Sequence, residues 1–197
     1  MSYQTLANAV TARIEIKKSD FIAYAYSVTS REQAMTYVEQ LKNQYPDARH
    51  HCWAYIIGDP SNTTSAGFDD DGEPSGTAGR PILNVLQHKA IGNVIIIVVR
   101  YFGGIKLGAG GLTRAYAGSA QAVIDEMKLV PYIPMVQVQI ATDYAHEAQI
   151  RYLIGTVAGQ VDDVTYTNEV MVTATMEMAK VPEFAENLGV SGRILEQ

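Results

Sequence analysis

Residues 94–111 read VIIIVVRYFGGIKLGAGG and join an unbroken apolar run to a glycine-rich segment. The β-branched residues from Val94 to Val99 predict a strand that is covered on both faces and lies near the centre of a sheet. Five glycines at positions 103–111 then predict a loop. Apolar residues return at helical spacing from Tyr116 onward, which predicts a helix directly after the loop.

This strand, loop and helix have the composition of an anion-binding site. A helix N-terminus offers free backbone N–H groups, and glycines let a phosphate or carboxylate approach them closely. Arg100, Lys106 and Arg114 would add positive charge. The segment lacks the lysine that ends a P-loop, and residues 108–113 do not fit the GxGxxG pattern. The equal alternative is that these glycines only form tight turns and let the helix pack.

Two aromatic residues, Tyr101 and Phe102, stand beside Arg100 at the end of the predicted strand. They are candidates for stacking on a single-stranded base. Aromatic residues at a strand end more often close the edge of a hydrophobic core, and that interpretation is favoured here.

Strands and helices alternate upstream of this segment. Strands are predicted at 12–16, 21–28 and 52–57, helices at 30–45 and 81–89, and a long loop at 58–80. Ser30 and Gln33 have the spacing of a capping box, and Pro46 ends the first helix. Long loops of this kind often carry function.

The predicted loop contains an acidic run, DDDGEPSGTAG at residues 69–79. Its oxygen ligands lack the spacing of an EF-hand, so Asx turns or a solvated charge run are favoured over a metal site. Asp70 and Glu73 stay candidate functional residues. Thr77 and Arg80 would form a second anion cradle at the start of the next helix.

Arg49, His50, His51 and Cys52 open the strand before the acidic loop. Because side chains alternate along a strand, His50 and Cys52 are expected to share one face. A cysteine nucleophile would need a third group to orient the histidine, and Asp70 could do so only if the loop folds back. A hydrogen-bonded structural histidine beside a buried cysteine is favoured, so no catalytic residue is assigned.

The composition is that of an ordinary folded protein. The chain has 197 residues, of which 47% are hydrophobic, and this excludes disorder. Cys52 has no second cysteine with which to form an intramolecular disulfide or a thiolate zinc site. The longest strongly apolar stretch is far below the roughly 18 residues that span a bilayer. We therefore expect a cytoplasmic protein with no membrane partner, no metal and no cofactor.

Pro131 and Pro134 predict a boundary between an N-terminal domain, residues 1–131, and a C-terminal domain, residues 135–197. Up to residue 133 the chain carries 12 basic and 12 acidic side chains, and beyond it 3 and 9. The acidic C-terminal domain is a poor surface for nucleic acid. Its strands are predicted at 136–141, 160–167 and 170–178 and in a brief stretch that ends at 194–195. Helices are predicted at 143–158 and in a short segment with Pro182 in its first turn. This βαββαβ order is typical of a ferredoxin-like sandwich.

Together these motifs resemble those of the IMPACT/YigZ family of uncharacterised proteins. The resemblance rests on residues 49–52, 68–83 and 98–108, and the two-domain layout extends it over nearly the whole chain. It implies an α+β fold whose first domain is like domain 2 of ribosomal protein S-five, a β-sheet with helices on one face, as in elongation factor G and GHMP-class kinases. It also implies that the second, ferredoxin-like domain is like a C-terminal domain of elongation factor G.

The same resemblance carries functional expectations. In eukaryotic members the family domain takes part in translational control by antagonising activation of a kinase that phosphorylates an initiation factor. For bacterial two-domain members, nucleic-acid or ribosome binding is the usual suggestion. The oligomeric state is left open.

We therefore predict a regulator of translation or of a stress response whose first domain binds RNA, the ribosome or a translation-associated protein. The residues predicted to bind nucleic acid or another anion are Arg49, Thr77, Arg80, Arg100, Tyr101, Gly103, Gly104, Lys106, Gly108, Gly110 and Arg114. A further candidate loop comprises His50, His51, Asp70 and Glu73. One alternative, less favoured, is an enzyme acting on a phosphorylated or nucleotide small molecule. Another is a protein-interaction module without a phosphate ligand.

Overall fold

The computed structural model describes residues 3–195, and the chain forms two compact units that divide between Tyr132 and Ile133. The first unit contains β1 (Tyr3–Leu6), β2 (Val10–Ile16), β3 (Ser19–Ser27), α1 (Arg31–Gln44), β4 (His50–Asp59), β5 (Asn62–Asp69), α2 (Gly79–Lys89), β6 (Val94–Tyr101), α3 (Ala109–Asp125) and β7 (Leu129–Tyr132). Among the described residues, no helix is both long enough and apolar enough to cross a membrane.

The first unit is built on an antiparallel sheet with the strand order β2-β3-β6-β4-β5. The prediction that the apolar run forms a central strand is confirmed, because β6 lies third of five and Val94 to Val99 are each 0% exposed. Burying each such side chain contributes about 1.5–3 kcal/mol to folding. The run therefore anchors the whole sheet.

Helices cover both faces of this sheet. Ile96 and Val98 pack in one core with α2 and α3, whereas Ile95, Ile97 and Val99 pack in a second core with α1. The expectation of helices on one face is therefore wrong for this chain. A strand that is apolar at every position needs cover on both sides, since its side chains alternate between the two faces.

Three strands, β1, β5 and β7, lie where none was predicted. β5 pairs with β4 inside the segment predicted as a loop, and β7 pairs with β1 at the predicted domain boundary. β5 has no apolar alternation because it is an edge strand and mostly exposed. β7 tolerates Pro131 because, among the described strands, β7 pairs on one side only, with β1.

The second unit contains β8 (Met135–Thr142), α4 (Glu147–Thr156), β9 (Gln160–Tyr166), β10 (Val170–Glu177), α5 (Val181–Leu188) and β11 (Arg193–Leu195). Its antiparallel sheet has the order β11-β8-β10-β9, and the predicted βαββαβ succession is confirmed. Alternate residues of β8 and β10 pack with α4 and α5 in a separate hydrophobic core.

The loop between β6 and α3 is held against the β2–β3 turn at Gly103. A Cβ atom built on Gly103 would overlap the backbone carbonyl group of Lys18. The Gly103 N–H donates a hydrogen bond of 3.1 Å to Ser19 Oγ. This contact fixes where the glycine-rich loop leaves the sheet.

Substituting Gly103→Ala should destabilise the first unit by about 1–3 kcal/mol, because the new methyl group has backbone rather than a flexible side chain in its way. The midpoint of urea unfolding, with its slope unchanged, measures this loss. Gly118→Ala in α3 is the control, since a Cβ there meets Ile14 Cδ1 at an ordinary 3.9 Å and alanine favours the helix. Equal stability of Gly103→Ala and the parent protein would contradict the close contact.

Candidate anion-binding site

A cavity of about 340 Å³ opens where β4 begins, where β6 ends and where α3 begins. We call it the α3 cavity. Its lining consists of Arg49, His50, Pro74, Arg100, Phe102, Lys106, Leu107, Gly108, Ala109 and Leu112. It therefore draws residues from the two strands, the acidic loop and the glycine-rich loop.

Strand pairing places the polar residues of the cavity side by side. Arg100 on β6 lies opposite His50 on β4 and opposite Phe21 on β3. Strand alternation puts all three on the face that α2 and α3 cover, the face of Ile96 and Val98. Arg49 directly precedes β4 and is exposed.

Arg100 is a buried cation, only 6% exposed, and Glu73 from the acidic loop balances its charge. Arg100 Nη1 donates to Glu73 Oε1, and the Tyr116 hydroxyl donates to the same oxygen over 2.8 Å. The guanidinium also lies 5.4 Å from the ring centre of Phe21 and 5.7 Å from that of Phe102. Its Nε is buried and has no hydrogen-bond partner among the described residues. The ion pair thus leaves donor capacity on Arg100 unused.

Cys52 belongs to this buried network and not to a reactive site. Its Sγ lies 3.3 Å from the Tyr116 hydroxyl oxygen and 3.0 Å from the Asp70 carbonyl oxygen. The side chain is fully buried, and burial raises the pKa of the thiol well above its usual range. Burial likewise raises the pKa of Tyr116. Because the thiolate is the nucleophilic form, this environment does not suit catalysis by cysteine.

Asp70 folds the acidic loop onto the start of α2. Its carboxylate accepts hydrogen bonds from the backbone N–H groups of Gly76, Ala78 and Gly79 at 2.7, 3.0 and 2.8 Å. The predicted second anion cradle therefore already holds a carboxylate of the chain itself. Thr77 donates to the Pro74 carbonyl, and Arg80 lies over the Phe68 ring. Neither Thr77 nor Arg80 lines the α3 cavity.

The folded loop also orients His50. Its Nδ1 lies 2.8 Å from the Asp71 carbonyl oxygen, which makes Nδ1 the donor and leaves Nε2 as the other polar atom of the ring. Nε2 is 3.9 Å from Glu73 Oε1. The group that orients His50 is thus the Asp71 carbonyl rather than the predicted Asp70. His51 faces the α1 side, where burial lowers its pKa.

The N-terminus of α3 is open toward the cavity. Gly108, at the cap position, has a φ of 72° and no side chain to bond the first N–H groups, and the first turn contains no acidic residue. The first intrahelical bond runs from the Leu112 N–H to the Gly108 carbonyl. The N–H groups before Leu112 have no carbonyl within the helix to bond. A Cβ on Gly108 would touch nothing within 4 Å, so this backbone is accessible.

Positive charge surrounds this helix end. Lys106 and Arg49 are exposed, and within residues 3–195 neither forms an ion pair. Phe102, which is 47% exposed, lies at the same opening. The site therefore combines free backbone donors, two unpaired cations, one buried arginine and an accessible ring.

The predicted anion-binding residues are only partly brought together. Arg49, Arg100, Lys106 and Gly108 line the α3 cavity. Arg114 lines a separate cavity of about 240 Å³ with Lys17. The other predicted residues lie outside both linings: Thr77 and Arg80 at the start of α2, Gly103 and Gly104 in the loop, Gly110 in the first turn of α3, and Tyr101, which packs half-buried on the α1 side.

Two important residues were missed by sequence reasoning. Tyr116 has the spacing of a core residue on the α3 helix, and its hydroxyl contact with Glu73 arises only from the fold. Phe21 sits in an aromatic-rich strand with nothing to mark it as the partner of Arg100. In the described part of the chain, no group of three or more His, Cys, Asp or Glu residues could hold a metal ion.

The comparisons with known proteins agree on one family. The model of the Impact N-terminal domain matches residues 17–124. The IMPACT family member YigZ of Escherichia coli is 37% identical over 182 residues, which cover 92% of this chain and 89% of YigZ. A crystal structure described as that of a hypothetical protein is 35% identical, covers 100% of this chain and 97% of its own, and superposes with a TM-score of 0.79.

A further solved structure concerns translation. It is the two-domain translational regulator Yih1, which is 28% identical and matches 63% of this chain and 47% of its own. The TM-score of that match is 0.37.

Breaking the buried pair from one side should be costly. Arg100→Ala should lower the free energy of unfolding by about 3–5 kcal/mol, because it leaves the Glu73 carboxylate buried and uncompensated. The double variant Glu73→Leu/Arg100→Met should recover much of this loss, since it removes both charges. Urea unfolding of the parent, single and double variants measures the difference. A double variant no more stable than Arg100→Ala would contradict the pairing.

Cys52 should be protected in the native protein. At pH 8 a thiol reagent such as dithionitrobenzoate should react at least about 100-fold more slowly with the native chain than with the urea-unfolded chain, because the thiol is buried and its pKa is raised. The absorbance of the thionitrobenzoate that the reaction releases measures both rates. Native and unfolded rates within about tenfold of each other would restore Cys52 as a candidate nucleophile.

Proposed function

The chain belongs to the IMPACT family, and from that premise we propose that it acts in the regulation of translation by binding RNA through the α3 cavity. Family membership supports the translational part, since the resemblance implies translational control for eukaryotic members. The expected likeness of the two units to domains of ribosomal protein S-five and elongation factor G belongs to this proposal as well.

One observation carries the RNA-binding part. The open N-terminus of α3 shares a cavity with Arg49, Arg100 and Lys106. Backbone N–H groups and the helix dipole favour an anion at such a position, and arginine and lysine are the side chains that contact phosphate. A phosphate group is an acceptor for each of these kinds of donor.

The exposed ring favours RNA over an acidic peptide as the source of the anion. Phe102 offers a flat apolar surface on which an unstacked base can lie, and a carboxylate side chain has no group that matches it. The chain carries a net charge of −6, so its attraction for RNA must be local to this cavity. The exposed cations Arg49 and Lys106 supply that local charge.

A second candidate function is the binding or conversion of a phosphorylated small molecule. The cavity volume of about 340 Å³ favours it, because this lies within the range of small-ligand sites. A protein-interaction module without phosphate ligand is a third possibility that the binding experiment distinguishes. Such a module would bind neither RNA nor phosphate compounds.

The proposal predicts RNA binding that weakens with salt and depends on Lys106. Lys106→Ala should weaken binding of a short single-stranded RNA and lower the slope of log K against log salt concentration by about 0.7, the value for one lost phosphate contact on a single strand. Fluorescence anisotropy of an internally labelled RNA between about 50 and 200 mM KCl measures both quantities. Arg49→Ala should behave in the same way.

Matched controls separate the site from general charge. Lys89→Ala removes an exposed lysine at the end of α2, and Arg31→Ala removes an exposed arginine of α1, on the opposite side of the sheet. Both should leave the slope unchanged. Binding that is insensitive to salt, or that falls equally in the site and control variants, would overturn the proposal.

A further inference from the structure

The size of the α3 cavity limits how much of a nucleic acid it can hold. Its volume of about 340 Å³ is at the lower end of the range for small-ligand sites. Proteins that bind internal stretches of single strands use an extended basic groove with several stacking rings. Here one phenyl ring, that of Phe102, lines the cavity, together with the half-buried imidazole of His50. This geometry suits one nucleotide rather than a continuous strand.

The charge balance distinguishes between two kinds of phosphate. Glu73 neutralises Arg100, whereas Arg49 and Lys106 have no carboxylate partner within residues 3–195. These two cations and the positive end of α3 leave an excess of about 2.5 charges. An internal phosphodiester carries a single negative charge, whereas a terminal phosphomonoester carries about −1.5 to −2 at pH 7. The excess charge matches the monoester better.

The number of donors favours the same group. A phosphomonoester presents three terminal oxygens, and an internal phosphodiester presents two. The N–H groups of Ala109, Gly110 and Gly111 precede the first intrahelical bond of α3. Arg100, which lines the cavity, adds guanidinium N–H groups beyond the one that Nη1 donates to Glu73.

The position of Phe102 relates this phosphate to a base. The guanidinium of Arg100 lies 5.7 Å from the Phe102 ring centre, so the ring and the buried cation are neighbours in one cavity. The phosphate and the base of a single nucleotide can therefore be held together. A free inorganic phosphate would use the donors and leave the ring without a role.

We infer that the α3 cavity binds a nucleotide that bears a terminal phosphomonoester, with its base against Phe102. This inference rests on the proposed function, in that it names the part of an RNA that the site recognises. The same chemical group occurs at the phosphorylated end of an RNA and in a free nucleoside monophosphate. The experiment therefore includes both sources.

The test compares RNAs of one short sequence that differ only at their ends. The 5′-phosphorylated, 3′-phosphorylated and doubly hydroxylated forms compete for an internally labelled RNA, beside adenosine 5′-monophosphate and inorganic phosphate. We expect one phosphorylated RNA to bind at least about tenfold more tightly than the hydroxylated form. Lys106→Ala should reduce that preference to about threefold or less, and Lys89→Ala should retain it.

The second part of the experiment tests the role of the Phe102 ring. Phe102→Leu should weaken adenosine monophosphate and terminally phosphorylated RNA, because stacking on the ring is lost, and should leave inorganic phosphate unchanged. A midpoint of thermal unfolding equal to that of the parent protein shows that Phe102→Leu is folded. Equal weakening of all three probes would contradict the assignment of the base to this ring.

The outcomes separate this inference from the proposed function. If phosphorylated and hydroxylated RNAs bind equally and in a Lys106-dependent manner, the terminal phosphate is excluded and RNA binding stands. If adenosine monophosphate stabilises the protein against heat and no RNA binds, the nucleotide site stands and the RNA-binding function is overturned. If none of the RNAs, the nucleotide or phosphate binds, both are overturned.

Discussion

The buried ion pair between Arg100 and Glu73 is the constraint on which the rest of the first unit depends. An unpaired charge in this position would cost several kcal/mol, so neither residue can be buried without the other. β6 carries Arg100 and the acidic loop carries Glu73, and their pairing draws the loop back across the sheet. Tyr116 of α3 donates to the same carboxylate oxygen. Sheet, loop and helix therefore meet at one oxygen atom, beside which the α3 cavity lies.

The acidic loop can deliver Glu73 because its own polar groups are satisfied internally. Asp70 accepts three backbone N–H groups at the start of α2, and the Asp71 carboxylate accepts the His51 N–H over 2.6 Å. Gly72, between Asp71 and Glu73, takes a φ of 85° in the turn that the Glu73 N–H closes on the Asp70 carbonyl, a conformation that favours glycine. The composition of this acidic run is compatible with a solvated cluster of charges, but in the folded chain Asp70 and Asp71 are held by hydrogen bonds. The carboxylates of Asp70 and Asp71 accept hydrogen bonds from backbone N–H groups of the chain itself.

Sequence reasoning predicted those features that depend on local pattern. The apolar run at Val94–Val99 has only one favourable place, the centre of a covered sheet. In the second unit, the alternation of apolar residues in β8 and β10 predicts two of the strands in the βαββαβ succession. Edge strand β5 escaped prediction because its stability comes from backbone pairing with β4, which leaves no pattern in Asn62–Asp69. The site was predicted only in part for the same reason. Arg100 and Lys106 share a segment with α3, but the contacts of Glu73, Tyr116 and Phe21 with one another or with Arg100 depend on long-range packing.

The α3 cavity is lined by one buried cation, Arg100, and by two exposed cations, Arg49 and Lys106. Arg100 has a flat guanidinium held between Phe21 and Phe102 and bonded to Glu73, so its position is set during folding. A lysine would not fit this place in the same way, because its ammonium group has no flat face to lie against the two rings and no fixed, planar set of donors. Fixing a long side chain costs about 0.5–1.5 kcal/mol when it happens on binding, and for Arg100 that cost belongs to folding instead. Under the proposed function, the exposed side chains of Arg49 and Lys106 would be ordered only on binding of the anion, and their charges would provide the long-range, salt-sensitive attraction. The buried residue would then set the geometry of binding, and the exposed residues would set the rate and the salt dependence of association.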